Sequence, residues 1–264
     1  MDSLNVLESL KSWLWELQSS FILLWKGLLN VLAKPFYLQD TAEQLDVIGV
    51  GSLPVILLTS FFTGAVFALQ TSDILREYGS TASMGQLVSF TMIRELGPVL
   101  TALMFTGRVG AGIASELGGM AVSQQVDALR SLGTDTIKKL VTPRIIACLI
   151  ALPLLTAIGD FLSIWSGQLL TTYQIHQNPS TYWNSVQQHL KWEDLYFSFF
   201  KSIAFAIIIV LIACYQGLKT RGGTRGVGTN TTKAVMSASI LIIASDFFLT
   251  KAITLFIIHH HGHH

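Results

Sequence analysis

VIGVGSLPVILLTSFFTGAVFALQTS (residues 47–72) lies between Asp46 and Asp73 without one charged side chain. About 20 apolar helical residues cross the roughly 30 Å hydrocarbon core of a bilayer. The stretch therefore predicts a transmembrane helix, and Pro54 near its start is tolerated in such a helix. The rest of the chain agrees. A soluble domain averages about 25% charged residues. This chain of 264 residues has 12% charged and 51% hydrophobic residues, with a mean hydropathy of +0.53. A net charge of +1 with so much apolar content excludes a disordered chain and a nucleic-acid binder. Cys148 and Cys214 sit in apolar runs and read as small buried hydrophobes, not as a disulfide or metal pair.

Working outward from 47–72, four further apolar stretches predict spans at 84–107, 145–170, 195–218 and 234–258. The fold class is thus an all-α integral membrane protein with five transmembrane helices in a single domain. Residues 1–35 differ. Leu4, Leu7, Leu14, Leu17, Phe21, Leu24, Leu28 and Leu32 recur on one helical face, broken by Asp2, Glu8, Lys11, Glu16 and Lys26. With Trp13, Trp15 and Trp25 as interfacial rings, this segment predicts an amphipathic interfacial helix. A helix packed on the remainder of the protein is an equal reading. Glu8 and Glu16 exclude a signal peptide.

Six ionisable residues fall inside the predicted spans: Arg94, Glu95, Asp160, Lys201, Asp246 and Lys251. Charge at membrane depth is costly, so these should face a bundle interior or a wet cavity. At 1.5 Å per residue, Lys201 lies roughly 9 Å below the outer end of its span, and the others lie between mid-depth and that end. Their charges cancel, which suggests mutual pairing. Two readings stand: ion pairs that hold helices together, or a polar site in an apolar cavity. Arg94 and Lys201 would suit a phosphate or carboxylate head group, whereas Glu95, Asp160 and Asp246 could relay protons. Asp160 and Lys251 lean to the structural reading. Small residues recur at Ser60, Thr63, Gly64 and Ala68, and again at Gly107, Gly110, Gly112, Ser115, Gly118 and Gly119. Such residues permit close helix packing, within one chain or across a homodimer.

Between Glu116 and Pro143, Val122, Val126 and Leu129 give a short amphipathic helix that Gly133 stops. Asp127-Ala128-Leu129 followed by Gly133 is similar to the loop by which ABC importer permeases dock an ATPase. GGTRGVG (222–228) reads as a flexible linker, with ATPase contact as an alternative; it is not a phosphate-binding loop, because no Lys-Ser/Thr follows. HHHGHH (259–264) reads as a tag or solvated tail, with metal binding the lesser option.

Three blocks, LPVILLTSFFTGAVFALQ (53–70), RELGPVLTALMFTGRVGAGIASELGGM (94–120) and QVDALRSLGTD (125–135), resemble the MlaE (YrbE) permease family. These are membrane subunits of phospholipid ABC transporters that work with MCE proteins. The resemblance implies a homodimer that moves glycerophospholipid between the inner membrane and the outer envelope of a Gram-negative bacterium, maintaining outer-membrane asymmetry. It implies a lipid site at Arg94, Glu95, Lys201 and Asp246, with Phe67, Leu69, Ile74 and Leu75 lining the acyl region. A coupling helix at 122–132 would meet the ATPase through Val122, Val126, Asp127, Ala128, Leu129, Arg130 and Gly133. Implied partners are a cytoplasmic ABC ATPase, a periplasmic MCE ring, a small STAS-type cytoplasmic subunit and phospholipid. ATP and Mg would be bound by the ATPase, so this chain would carry neither cofactor, metal nor catalytic residue. An ion- or proton-coupled carrier and a non-transporting scaffold are the alternatives.

Nine Lys and Arg (Arg108, Arg130, Lys138, Lys139, Arg144, Lys219, Arg221, Arg225 and Lys233) lie in the loops on one side, against Arg76 and Lys191 on the other. The positive-inside rule makes the first side cytoplasmic, the N-terminus cytoplasmic and the C-terminus periplasmic. A tag fused at residue 264 is accordingly expected to react with membrane-impermeant reagents from the periplasmic face alone; labelling from the cytoplasm would reverse the topology.

Overall fold

The computed structural model describes residues 37–261, with side chains through residue 255. The predicted interfacial helix 1–35 and the side chains of the His-rich tail lie outside the described residues. Helices run Leu38–Ile48 (α1), Leu53–Glu77 (α2), Met84–Thr91 (α3), Gly97–Phe105 (α4), Ala111–Val122 (α5), Gln125–Ser131 (α6), Thr142–Ile175 (α7), Pro179–His189 (α8), Trp192–Leu218 (α9) and Gly223–His261 (α10). Wider π-helical turns at Met92–Leu96 and Thr106–Gly110 join α3 to α4 and α4 to α5, and Ile137–Val141 leads into α7. No strand occurs among the described residues.

Five continuous runs are long and apolar enough to cross a membrane: Leu38–Glu77, Thr81–Val122, Ile137–Ile175, Trp192–Leu218 and Gly223–Leu255. The chain is therefore an all-α, multi-pass membrane protein. The runs match the five predicted stretches but are longer. The second does not stop at 107: the π turn absorbs Gly107 and Arg108, and the helix continues to Val122. Arg108, read as a loop residue, lies inside this run and donates to the Val47 carbonyl at 3.3 Å. The linker reading of 222–228 is overturned. Gly222 (φ 88°) makes the turn, and α10 begins at Gly223. An unforeseen helix, α8, follows Asn178, whose side chain accepts from the Ser180 amide at 3.0 Å while Pro179 starts the first turn.

Two compact units divide the chain. One comprises Gly49–Phe105, Ile150–Ala206 and Ile240–His264; the other comprises the described part of Met1–Ile48, with Thr106–Leu149 and Ile207–Ser239. In the first, α2 and α7 cross through their small residues. A Cβ on Gly64 would overlap the Ser163 carbonyl, and the Ser163 hydroxyl donates to the Ser60 carbonyl at 2.9 Å. This small-residue stripe therefore serves packing within the chain. Beside it, Ala68, Leu75, Met84, Val88 and Ile164 form a core closed by Tyr182, whose hydroxyl donates to the Ile164 carbonyl at 3.1 Å. Burial pushes that hydroxyl's pKa up, so it remains a donor.

In the second unit, Arg144 is 4% exposed and pairs with Glu116 at 2.8 Å. Lys139 pairs with Asp40 and covers the Tyr37 ring. Gly217 packs on the Ala114 backbone, and Gly118 on Thr220, whereas Gly107, Gly112 and Gly119 face open space. Cys148 and Cys214 are free and buried here. Replacing Gly64 by Leu is expected to lower stability by about 1–3 kcal/mol through overpacking. Gly112→Leu, with nothing within 4 Å of its Cβ position, should leave it nearly unchanged. Thermal unfolding of the two purified variants checks this.

Candidate functional site

The site grows from a break in helical hydrogen bonding. Arg94 and Glu95 occupy the π turn Met92–Leu96, and Pro98 follows. Proline carries no N–H, so Pro98 cannot bond the carbonyl four residues back, which belongs to Arg94. Lys201 from α9 takes its place: Nζ donates to the Arg94 carbonyl at 2.8 Å. The same ammonium donates to Glu95 Oε2 at 2.9 Å and to Thr250 Oγ1 of α10 at 2.7 Å. Asp246 Oδ1 of α10 also pairs with this ammonium, 3.0 Å from Nζ. Thr250 in turn donates to Glu95 Oε2 at 3.1 Å. Lys201 is 2% exposed, and two helical runs besides its own deliver acceptors to its buried ammonium.

Arg94 is engaged elsewhere. Its Nε meets Asp194 Oδ1 at 3.1 Å, and its guanidinium lies 4.7 Å over the Phe90 ring. The carboxylate of Asp194 also accepts from the Lys191 amide at 3.2 Å. The expectation that the six in-span charges pair only among themselves therefore needs correction. Asp194, one residue before the predicted span 195–218, supplies a carboxylate that the sequence count omitted. Asp160 accepts from Ser198 at 3.1 Å, and its other oxygen sits where a Cβ on Gly97 would be. Lys251 is exposed.

A recess of about 210 Å³ opens on this cluster, lined by Arg94, Glu95, Lys201, Thr250, Phe197 and Phe90. An apolar groove of about 410 Å³ lies along α2 and α4, lined by Phe62, Val66, Phe67, Gln70, Leu96 and Leu100. Glu95 and Leu96 are neighbours, so one helical turn contributes to both. Of the expected acyl-lining residues, Phe67 lines the groove and Leu69 and Ile74 are exposed. Leu75 is instead enclosed in the core around Tyr182.

The predicted coupling helix is α6, Gln125–Ser131, shorter than 122–132 because Val122 ends α5. Left-handed Gln124 (φ 60°) and Gly133 (φ 76°) set its ends. Val126 is buried beneath it and Leu129 is half-buried, while Asp127, Ala128 and Arg130 are exposed and Asp127 pairs with Arg130 at 3.5 Å.

Lys201→Met leaves two carboxylates and a carbonyl without their cation. It is expected to lower the unfolding temperature of the purified chain, and adding Glu95→Gln and Asp246→Asn should restore part of the loss. A coupling energy below about 1 kcal/mol in that cycle would show that the cluster does not act as a unit.

The family described as Permease MlaE matches residues 41–252, which include the cluster, the groove and α6. A probable ABC transporter permease of Rickettsia bellii is 43% identical over 84% of this chain and 86% of its own length. A probable ABC transporter permease of Synechocystis is 39% identical over 92% of each. The intermembrane phospholipid transport system permease MlaE of Haemophilus influenzae is 34% identical over 79% of this chain and 80% of its own. With the family match running from α1 through Thr250 and these relatives aligned over most of their length, the chain belongs to the MlaE permease family.

Proposed function

We propose that this chain is the membrane permease subunit of an ABC-type phospholipid transporter, working beside a separate ATPase that binds ATP and Mg. The carrying observation is the juxtaposition, on one helical turn, of an enclosed ionic cluster and an apolar groove. A glycerophospholipid has this division between phosphodiester and acyl chains. Arg94 is the residue suited to the phosphodiester: its side chain is 23% exposed at the recess, whereas every proton of Lys201 is already committed. Lys201, Glu95 and Asp246 hold that turn in place, and Phe67 with the groove takes an acyl chain. Leu69 and Ile74 extend the acyl surface if a second protomer covers them.

The same reading makes α6 the coupling helix. Val126 anchors it, while Asp127, Ala128 and Arg130 face the ATPase and Gly133 ends the contact. The protein acts as a homodimer, which the exposed apolar faces of α2 and α10 support: Phe62, Ile240, Phe247 and Phe248 are all more than half exposed. A periplasmic MCE ring and a small STAS-type subunit complete the assembly in the inner membrane of a Gram-negative bacterium, with the N-terminus cytoplasmic and the C-terminus periplasmic.

The chain purified with its membrane partners should bring down an ATPase and extractable phospholipid. Arg94→Ala, with assembly checked, should lower photo-crosslinking to phospholipid by about tenfold, the effect of losing a charge-assisted contact. Crosslinking and transport both at wild-type level would remove Arg94 from the site. Uptake driven by an ion gradient without an ATPase would replace this function with that of a coupled carrier.

A further inference from the structure

A larger cavity, of about 520 Å³, lies among α7, α8 and α9, and none of the residues bonded to Lys201 or Arg94 lines it. Its walls are aromatic: Trp183, Trp192, Tyr196, Phe161 and Phe199. One carboxyl, Asp160, reaches it, and among the described residues no Lys or Arg lines it. Asp160 is 5% exposed. Its Oδ2 accepts at 3.1 Å from Ser198, which also lines the cavity, while Oδ1 is packed against Gly97, outside the lining. Phe161, Trp192 and Tyr196 are 63%, 77% and 70% exposed, so the cavity opens through a wide aromatic mouth.

These features select the ligand by charge. The faces of aromatic rings are electron-rich and attract cations, Trp most strongly. A carboxyl oxygen that already accepts from one hydroxyl has a second lone pair, which an N–H donor in the cavity can use. An anion meets the reverse, a carboxyl and ring faces with no cation in the lining. The volume falls in the range of sites for single drug-sized molecules and is too small for two acyl chains with their head group.

We propose that this cavity is a second binding site, selective for lipophilic ammonium ions, with the ammonium set against Asp160 and the apolar body among the rings. The site differs in both place and charge from the phospholipid site at Arg94. Its ligand enters by partitioning into the bilayer and passing the exposed mouth. Lipophilic amines are then recognised without competing for the phosphodiester position.

The test uses the full chain in phosphatidylcholine nanodiscs and reads quenching of tryptophan emission. The probes are an ω-brominated undecylamine and its alcohol and carboxylate analogues. The amine should quench at roughly tenfold lower mole fraction than either analogue, an advantage of cation–π and ionic contact. Asp160→Asn should abolish that advantage. Ala157→Phe, which fills the cavity and keeps the carboxyl, should abolish it too. Each variant is first checked for a folded, monodisperse peak, and if Asp160→Asn does not fold, Ala157→Phe decides. Equal quenching by all three probes overturns the site, as does an amine advantage that persists in either folded variant.

Discussion

The Lys201 ammonium is the constraint on which the polar interior of this protein depends. A primary ammonium with 2% exposure needs protein acceptors for its protons, because water does not reach it. Here three protons meet three acceptors, two from the π turn at Met92–Leu96 and one from α10. One of them, the Arg94 carbonyl, is available because Pro98 lacks the N–H that would otherwise claim it. A helix defect and a buried charge thus compensate one another. The wider turn presents Glu95 and a free carbonyl together, and the lysine makes the defect stable. Three runs of helix meet at one nitrogen atom.

The same face of α9 makes two further ties. Asp194, Ser198 and Lys201 are spaced by four and three residues, which stacks them on one side of a helix. Asp194 holds Arg94, Ser198 holds Asp160, and Lys201 holds Glu95 and Thr250. Asp160 also presses against Gly97, two residues beyond Glu95, where any larger side chain would displace it. The turn carrying Arg94 and Glu95 is therefore fixed from both ends by one helical stripe. Such a stripe leaves Arg94 as the partly exposed cation, and this sets the division of labour proposed for the lipid site.

Much of this was legible in the residues. Long uncharged runs marked five spans, because hydrocarbon admits few charges and a helix must be long enough to cross it. The stripe Ser60, Gly64 and Ala68 announced a close crossing, and α2 meets α7 there. Depth grouped six in-span charges in one region, and the family resemblance picked out Arg94, Glu95, Lys201 and Asp246 among them. Other features were not read from local pattern. Asp194 lies one residue outside the predicted span and was not counted, although its spacing to Lys201 was visible. The span ends were misjudged where Arg108 and Arg144 suggested loops, since pairing with a carbonyl or with Glu116 lets an arginine stay within a helical run. The glycine run at 222–228 looked like a linker in a basic loop, yet α10 starts within it, and a Cβ on Gly226 would overlap the Arg221 carbonyl.

What the sequence by itself determined was the class of protein, the number of spans and the short list of residues that water-free surroundings could not ignore. Those are consequences of transfer free energy, which acts on each segment separately. Which charge meets which partner was decided only by the tertiary structure. Pairing depends on distances of about 3 Å between side chains more than 40 residues apart in sequence, and neither depth nor net charge specifies them. Sequence reasoning placed Arg94 and Lys201 side by side as phosphate ligands. The fold sets the lysine against the Arg94 carbonyl, the Glu95 carboxylate and the Thr250 hydroxyl, and it leaves the arginine partly exposed at the recess.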